Sequence, residues 1–176
     1  MSEAAESDAQ LDAAEQALQV AFARYQDELL GTLYYLVGNV EDARDALQEA
    51  FVKCWRHRHE TPEIQNLRAW IFRIAMNTGR DLRQTAWRRR RRSLSGEETM
   101  IQTVQDSPET VVAGREQLDR LREAIRGLRA EEQEVFLLRQ NGEMTYEQIA
   151  DAVGIPVGTA KTRMRLALNK LRKELQ

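Results

Sequence analysis

The chain of 176 residues contains one cysteine, three prolines and nine glycines, and aromatic residues make up only 6% of it. The single cysteine, Cys54, excludes an internal disulfide framework. Because Pro and Gly are few and long segments lack the alternation typical of strands, the sequence predicts an all-α fold. No apolar run approaches the roughly 18 residues that a membrane span requires. We therefore expect no membrane insertion.

The sequence also lacks the motifs of an enzyme or a metalloprotein. It has no glycine-rich phosphate loop, no nucleophile with a partnered base and no convincing carboxylate pair, so we predict no catalytic residue and no cofactor. Cys54, His57 and His59 form a C-x-x-H-x-H pattern, but three ligands at one helix end make a poor structural zinc site. Cys54 also shares an apolar stripe with Leu47 and Phe51. We interpret it as a core cysteine and predict no metal.

Charge is strongly segregated along the chain, although the formal net charge is only −2. Residues 1–51 hold 2 basic and 11 acidic side chains, whereas residues 52–92 hold 12 basic and 3 acidic ones. A net-acidic protein can bind nucleic acid when its positive charge is concentrated on one surface, because affinity depends on local neutralisation of phosphates. The N-terminus MSEAAESDAQ lacks the basic start and apolar core of a signal peptide, so we expect a cytoplasmic protein.

Apolar periodicity divides the chain into two helical domains joined by a tether. The predicted boundaries are a disordered N-terminus at 1–10, a first domain at 11–92, an acidic flexible linker at 93–107 and a second domain at 108–176. The linker is polar and lacks sustained periodicity. Ser107 and Pro108 then provide an N-cap and a first helical position for the second domain.

The first domain is predicted to hold three helices, from about Leu11 to Val37, from about Val40 to His57, and a third that Asn66 caps. The stretch RHRHETPEIQN between the second and third helices is predicted to be a loop. The outer face of the second helix carries an acidic and amide patch, formed by Glu41, Asp45, Gln48 and Glu49. The third helix is predicted to bury Leu67, Trp70, Ile71, Ile74, Thr78 and Leu82. Its opposite face carries Arg73, Asn77, Arg80, Asp81, Gln84 and Arg88, followed by a run of arginines to residue 92.

The stretch TYEQIADAVGIPVGTAKTRMRLALNKLR, residues 145–172, predicts a helix, a sharp turn and a basic helix. Thr145 and Gln148 have the spacing of a capping box. Gly154 suits a left-handed helix end, and Pro156 suits the first turn of the next helix. This arrangement is typical of a helix-turn-helix.

The second of these two helices has one apolar stripe, which we expect to be its buried face: Ala160, Met164, Ala167, Leu168 and Leu171. Gly158, Thr162, Arg165 and Asn169 should point away from that stripe, with Thr159, Lys161 and Arg163 on its flanks. Short polar and basic side chains in these positions are suited to base edges and phosphates.

Three blocks in this order resemble regions 2 and 4 of bacterial sigma factors of the sigma-70 family. They are EDARDALQEAFVKCW, LRAWIFRIAMNTGRDLRQ and LRAEEQEVFLLRQNGEMTYEQIADAVGIPVGTAKTRMRLALNKLR. Because it has only these two regions, the chain resembles the compact extracytoplasmic-function (ECF) class. The resemblance implies a dissociable subunit that binds core RNA polymerase and promoter DNA and directs transcription initiation. An anti-sigma factor is a further partner that such relatives often have.

The resemblance also implies roles for particular residues. Core-polymerase binding would fall to Asp45, Gln48 and Glu49. Recognition of the minus-10 element would fall to Asn77, Arg80, Asp81, Arg83 and Arg88. Recognition of the minus-35 element would fall to Thr159, Lys161, Thr162, Arg163 and Arg165. A flipped promoter base would be held by the preceding loop, at about Arg58 to Gln65.

The sequence departs from the family pattern at two positions. Leu166 stands where the family often has Arg, which puts part of the phosphate contact in doubt. Arg44 stands where region 2 often has an acidic residue, which would weaken or retune the core contact. The acidic linker resembles a segment that, in relatives, runs toward the RNA exit path, and a solvated tether explains it equally well.

Two other functions fit parts of the sequence. A stand-alone helix-turn-helix regulator would bind duplex DNA without polymerase, but it would leave the acidic patch on the second helix unexplained. A protein-binding helical adaptor would make the segregated basic clusters incidental.

Overall fold

The computed structural model describes the backbone of residues 2–93 and 112–176 and the side chains of residues 9–85 and 116–176. All of its described elements are helical: α1 (Ser2–Val37), α2 (Val40–Arg56), a short 3-10 helix (Arg58–Glu63), α3 (Leu67–Ser93), α4 (Val112–Arg126), α5 (Ala130–Gln140), α6 (Tyr146–Val153) and α7 (Val157–Leu175). Helices α1 to α3 form one compact unit and α4 to α7 form a second. The predicted all-α fold with two helical domains is confirmed.

The first unit is built on the apolar stripe of α1. Leu18, Leu29 and Leu33 are fully buried, as the spacing predicts, and they lie in one core with Ile71 and Phe72 of α3. Each such side chain contributes about 1.5 to 3 kcal/mol when it is removed from water. Each of the three helices packs against the other two.

The close approach of α1 and α3 depends on Gly79. A Cβ at this position would lie 2.7 Å from Cδ2 of Leu36 and 2.8 Å from Cδ2 of Leu33. Any side chain here would force the methyl groups of these two leucines to shift, so glycine allows the two helices to pack closely.

Polar caps fix where α2 and α3 begin. The side-chain oxygen of Asn39 accepts a hydrogen bond from the amide of Asp42 at 2.8 Å, and that of Asn66 accepts one from the amide of Ala69 at 2.9 Å. The predicted cap at Asn66 is confirmed. Such a cap is worth about 1 kcal/mol because it satisfies an amide that lacks a partner within the helix.

Three features of the first unit differ from the sequence-based expectations. Helical backbone starts at Ser2, within the residues expected to be disordered, and the absence of Pro and Gly from residues 2–10 favours this extension. The expected loop forms a 3-10 helix at Arg58–Glu63. On α3, half of the predicted stripe is buried (Trp70, Ile71 and Thr78), whereas Leu67, Ile74 and Leu82 are only half-buried. Phe72 and Met76, which were not predicted, are buried instead.

The second unit holds the predicted helix-turn-helix in α6 and α7. The hydroxyl of Thr145 accepts from the amide of Gln148 at 3.2 Å, and the Gln148 side chain accepts from the amide of Thr145 at 2.9 Å, so the capping box is confirmed. Gly154 ends α6 with φ +72, the left-handed conformation that a Cβ disfavours. Pro156 is the N-cap of α7 and therefore precedes the first helical turn.

The buried face of α7 is narrower than predicted. Ala160, Met164, Ala167 and Leu171 are buried, but Leu168 is 41% exposed, so its assignment to the buried stripe is wrong. The buried positions form a single row, and Leu168 lies about 100° around the helix from Ala167. The predicted cap at Ser107, the helical start at Pro108 and the linker after Ser93 lie outside the described residues.

Candidate functional site

The acidic patch of α2 lies on its solvent face. Asp45, Gln48 and Glu49 are all exposed, and the opposite face of the helix buries Ala46 and Ala50 in the core. The structure therefore brings these three predicted residues together on one surface. None of the three is needed to fill the core, so they are available to a partner.

Arg44 and the amide of Gln48 border an open groove between α1 and α2. The apolar floor of the groove includes Phe22, Leu47 and Phe51. Phe22 and Phe51 meet edge to face, with ring centroids 5.0 Å apart, which is a favourable aromatic geometry. The acidic patch thus adjoins an apolar groove that has a cation at its edge.

The polar face of α3 brings together four of the five predicted minus-10 residues. Nη1 of Arg80 donates to Oδ1 of Asn77 at 2.9 Å, which holds the two side chains in one arrangement. Asp81 and Arg83 are exposed. The backbone of Arg88 belongs to α3, but its side chain lies outside the described side chains.

The segment before α3 is more tightly held than a loop would be. Nε of Arg58 donates to Oε1 of Glu15 at 2.6 Å, Nη1 donates to the Trp55 carbonyl at 3.0 Å, and the guanidinium lies 5.1 Å from the Trp55 ring centroid. The Thr61 hydroxyl is buried and donates to the Arg58 carbonyl at 2.8 Å. Arg58 therefore ties the 3-10 helix to α1 and α2.

Cys54 is a core residue, as predicted. It is fully buried, and burial raises the pKa of its thiol to about 12. A protonated buried thiol is a poor metal ligand and a poor nucleophile. Among the residues whose side chains are described, no group of three or more His, Cys, Asp or Glu is placed to hold a metal ion, and no helix is long and apolar enough to cross a membrane.

Helix α7 presents a mixed polar and basic face to solvent. Thr162 and Arg165 are exposed, as their predicted position opposite the apolar stripe requires. Of the three residues predicted on the flanks, Lys161 is exposed, whereas Thr159 and Arg163 are half-buried. The Thr162 hydroxyl donates to the Gly158 carbonyl at 2.9 Å, so its oxygen remains able to accept a hydrogen bond. These groups can contact base edges and phosphates.

Two residues of this surface were missed from the sequence. The ring of Tyr146 lies beneath two cations, with its centroid 5.3 Å from Cζ of Arg139 and 5.8 Å from Nζ of Lys161. Nη1 of Arg139 also donates to the Met144 carbonyl at 2.6 Å. These contacts connect the turn before α6 to α7. In the sequence, the position of Tyr146 directly after the cap Thr145 shows only that it begins α6. Its separation of 15 residues from Lys161 does not predict that the two side chains meet.

Comparisons with known proteins agree with this arrangement. The sigma-70 region 2 family matches residues 21–93, and the sigma-70 region 4 family matches residues 118–171. The ECF RNA polymerase sigma factor SigL of Mycobacterium tuberculosis is 34% identical over 149 residues, which are 80% of this chain and 78% of that protein. The RNA polymerase sigma-E factor of Streptomyces coelicolor is 33% identical over 153 residues, 85% of this chain and 81% of that protein.

A solved structure, the co-crystal structure of the sigma factor RpoE with the anti-sigma factor NepR from Bartonella quintana, has the same fold. Its TM-score is 0.68 at 23% identity, over 92% of this chain and 95% of the matched chain. The identity to SigL over most of both chains, with the order of the two matched regions, shows the family. The chain belongs to the ECF class of sigma-70 family RNA polymerase sigma factors, which direct promoter-specific transcription initiation.

Proposed function

We propose that the exposed faces of α2, α3 and α7 divide the work of this sigma factor. The face of α2 binds core RNA polymerase, the face of α3 binds the minus-10 element and the face of α7 binds the minus-35 element. The observation that supports this division best is the separation of charge. On α2, the exposed residues that are predicted to bind core polymerase carry carboxylate or amide groups. On α3 and α7, most of the exposed residues that are predicted to bind DNA are basic or neutral.

The core-binding surface consists of Asp45, Gln48 and Glu49. Carboxylates repel the phosphates of DNA, so a face on which they are exposed together suits a protein partner that carries basic side chains. Arg44 at the edge of the neighbouring groove is the exception to this charge pattern. It suits an acidic or carbonyl group on the same partner.

The minus-10 surface consists of Asn77, Arg80, Asp81, Arg83 and Arg88. An amide and a guanidinium that are already hydrogen-bonded to each other lose less side-chain entropy when they bind a strand. The exposed Arg83 suits the phosphates of the opened DNA, which position the strand without specifying its sequence.

The minus-35 surface consists of Thr159, Lys161, Thr162, Arg163 and Arg165. Thr162 and Arg165 lie on the outermost face of α7, where direct contact with base edges is expected, and half-buried Arg163 is better placed for phosphate. Each well-placed base contact is worth about 1 to 3 kcal/mol of discrimination. Arg139, Lys161 and Tyr146 would extend this surface toward α6.

We also propose that the protein acts in the cytoplasm, where core polymerase and promoter DNA are found. An anti-sigma partner belongs to the same proposal, because the Bartonella quintana sigma factor is described in complex with one.

The test uses two paired substitutions and purified core polymerase. Asp45→Arg with Glu49→Arg should abolish core binding and polymerase-dependent transcription, because the reversed charges repel the basic partner. Thr162→Ala with Arg165→Ala should preserve core binding and lower minus-35-dependent transcription by about 10-fold or more, since two base contacts are lost.

The matched control places the same charge change elsewhere on the first unit. Asp12→Arg with Asp27→Arg alters two exposed acidic residues of α1 and should leave both activities within about twofold. Core binding that survived the reversals at Asp45 and Glu49 would refute the assignment of the α2 face.

A further inference from the structure

Lys53 of α2 lies between the proposed core-binding face and the proposed minus-10 face. Its Nζ is 3.0 Å from Oε1 of Glu49 and 4.0 Å from Oδ2 of Asp81. It also donates to the hydroxyl of Thr78 at 3.2 Å. Thr78 is buried in α3, so this hydrogen bond anchors the ammonium beside the minus-10 helix.

The ammonium of Lys53 therefore lies near two carboxylates, Glu49 on the proposed core-binding surface and Asp81 on the proposed minus-10 surface. The shorter contact favours Glu49, and Asp81 is only partly neutralised at 4.0 Å. The side chains of Glu49 and Asp81 are 51% and 74% exposed, so water screens both pairs and neither is strong. A small change at either carboxylate is enough to redistribute the ammonium between them.

Neutralisation of Asp81 by this ammonium matters most when DNA is bound. An exposed carboxylate on a face that otherwise suits DNA repels the phosphates of the strand. When Lys53 turns toward Asp81, it cancels that charge. When Glu49 holds Lys53, the repulsion is retained.

We propose that Lys53 is a positioning residue that couples core binding to binding of the minus-10 strand. In the free protein Glu49 holds the ammonium, and Asp81 disfavours DNA. When Glu49 engages a basic group of the polymerase, Lys53 is released to Asp81 and the strand binds more tightly. Coupling between two binding events is reciprocal, so strand binding strengthens the core contact by the same factor. This inference rests on the proposed roles of the α2 and α3 faces.

The test measures binding of the free full-length protein to a fluorescent, random-sequence single-stranded DNA. Glu49→Gln should raise affinity about two- to fivefold, because it releases Lys53 to Asp81. Asp45→Asn is the matched control. It removes the same charge from the same face, two helical turns from Lys53, and should change affinity less than Glu49→Gln does.

The decisive comparison adds Lys53→Met to each variant. The gain from Glu49→Gln should disappear in the Lys53→Met background, whereas the small effect of Asp45→Asn should persist. Thermal unfolding followed by circular dichroism establishes that each variant is folded. A purely structural Lys53 would change stability without making the effect of Glu49→Gln depend on it. Equal effects of Glu49→Gln and Asp45→Asn, or a gain that survives Lys53→Met, would overturn the proposal.

A second pair of variants separates this inference from the proposal beneath it. Asn77→Ala and Arg83→Ala should each weaken strand binding, because both residues belong to the minus-10 surface. Strand binding unchanged by both would remove the α3 assignment and the inference with it. Weakened binding in these variants, with no dependence of Glu49→Gln on Lys53, would overturn the coupling alone.

Discussion

Glu132 is a buried carboxylate whose charge is maintained by its contacts. It accepts hydrogen bonds from Nζ of Lys170 at 2.6 Å and from the amide of Arg129 at 3.3 Å. Burial alone would raise the pKa of Glu132, but these hydrogen bonds and the nearby positive charges outweigh burial and lower it below its ordinary 4.5. The ion pair therefore fixes α5 against α7 through a charge at the core boundary.

This pKa shift predicts the pH dependence of the second unit's stability. A lowered folded-state pKa adds stability above pH 4.5, and that stability is lost as the pH falls through the folded-state value. Glu132→Gln should lower the stability of α5 to α7 at neutral pH by about 1 to 3 kcal/mol. We expect the lower end of this range because the side chain of Lys170 is 41% exposed, so water screens its charge. Amide hydrogen exchange followed from neutral pH to below pH 4.5 measures this, and the difference in stability between wild type and variant should narrow only as the pH falls below 4.5. A difference in stability between wild type and Glu132→Gln that stays constant as the pH falls would contradict this prediction.

Single residues also mark the limit of what the sequence predicts. Caps such as Asn66 and Thr145 could be identified because a cap acts on an amide three residues away. The contacts of Lys53 with Thr78 and of Lys161 with Tyr146 could not, because they join residues 25 and 15 positions apart. Such contacts depend on how the helices pack, and periodicity within one helix does not determine that.

At the scale of elements, the packing of α1 against α3 depends on one glycine. Periodicity predicted which α1 residues face the core, because one face of that helix is buried. On α3 it missed the buried Phe72 and included the half-buried Ile74 and Leu82, because the centre of a buried face depends on how the helix packs against its neighbours. It predicted the buried face of α7 too broadly, since a single row of small and medium side chains suffices there. The exposed residues were predicted more accurately than the buried ones, because charged and polar side chains are mostly exposed in folded proteins.

A matched pair of glycine substitutions tests the packing of α1 and α3. Gly79→Ala should lower the free energy of unfolding by about 1 to 3 kcal/mol, because its Cβ overlaps Leu33 and Leu36. Gly31→Ala, in α1 of the same unit, meets nothing within 4 Å and should raise stability by about 0.5 to 1 kcal/mol. Urea unfolding followed by tryptophan fluorescence reports both changes. Equal effects of the two substitutions would mean that α1 and α3 are not in close contact at Gly79.

At the scale of the whole molecule, segregation of charge allows a net-acidic protein to serve two kinds of partner. The exposed carboxylates of α2 suit a protein surface, whereas the exposed cations and hydroxyls of α7 suit DNA. An average over the chain hides this division, because 26 basic and 28 acidic side chains nearly cancel. Order along the chain, rather than composition, therefore carries the functional information.

The most direct test of the central claim is transcription by purified core RNA polymerase from randomised promoter-like templates, with and without this protein, followed by sequencing of the transcribed templates. We predict that two spaced sequence elements are enriched only when the protein is present. With Thr162→Ala and Arg165→Ala, the upstream element alone should lose its enrichment. Transcription that does not depend on the protein, while the protein binds duplex DNA by itself, would contradict the account.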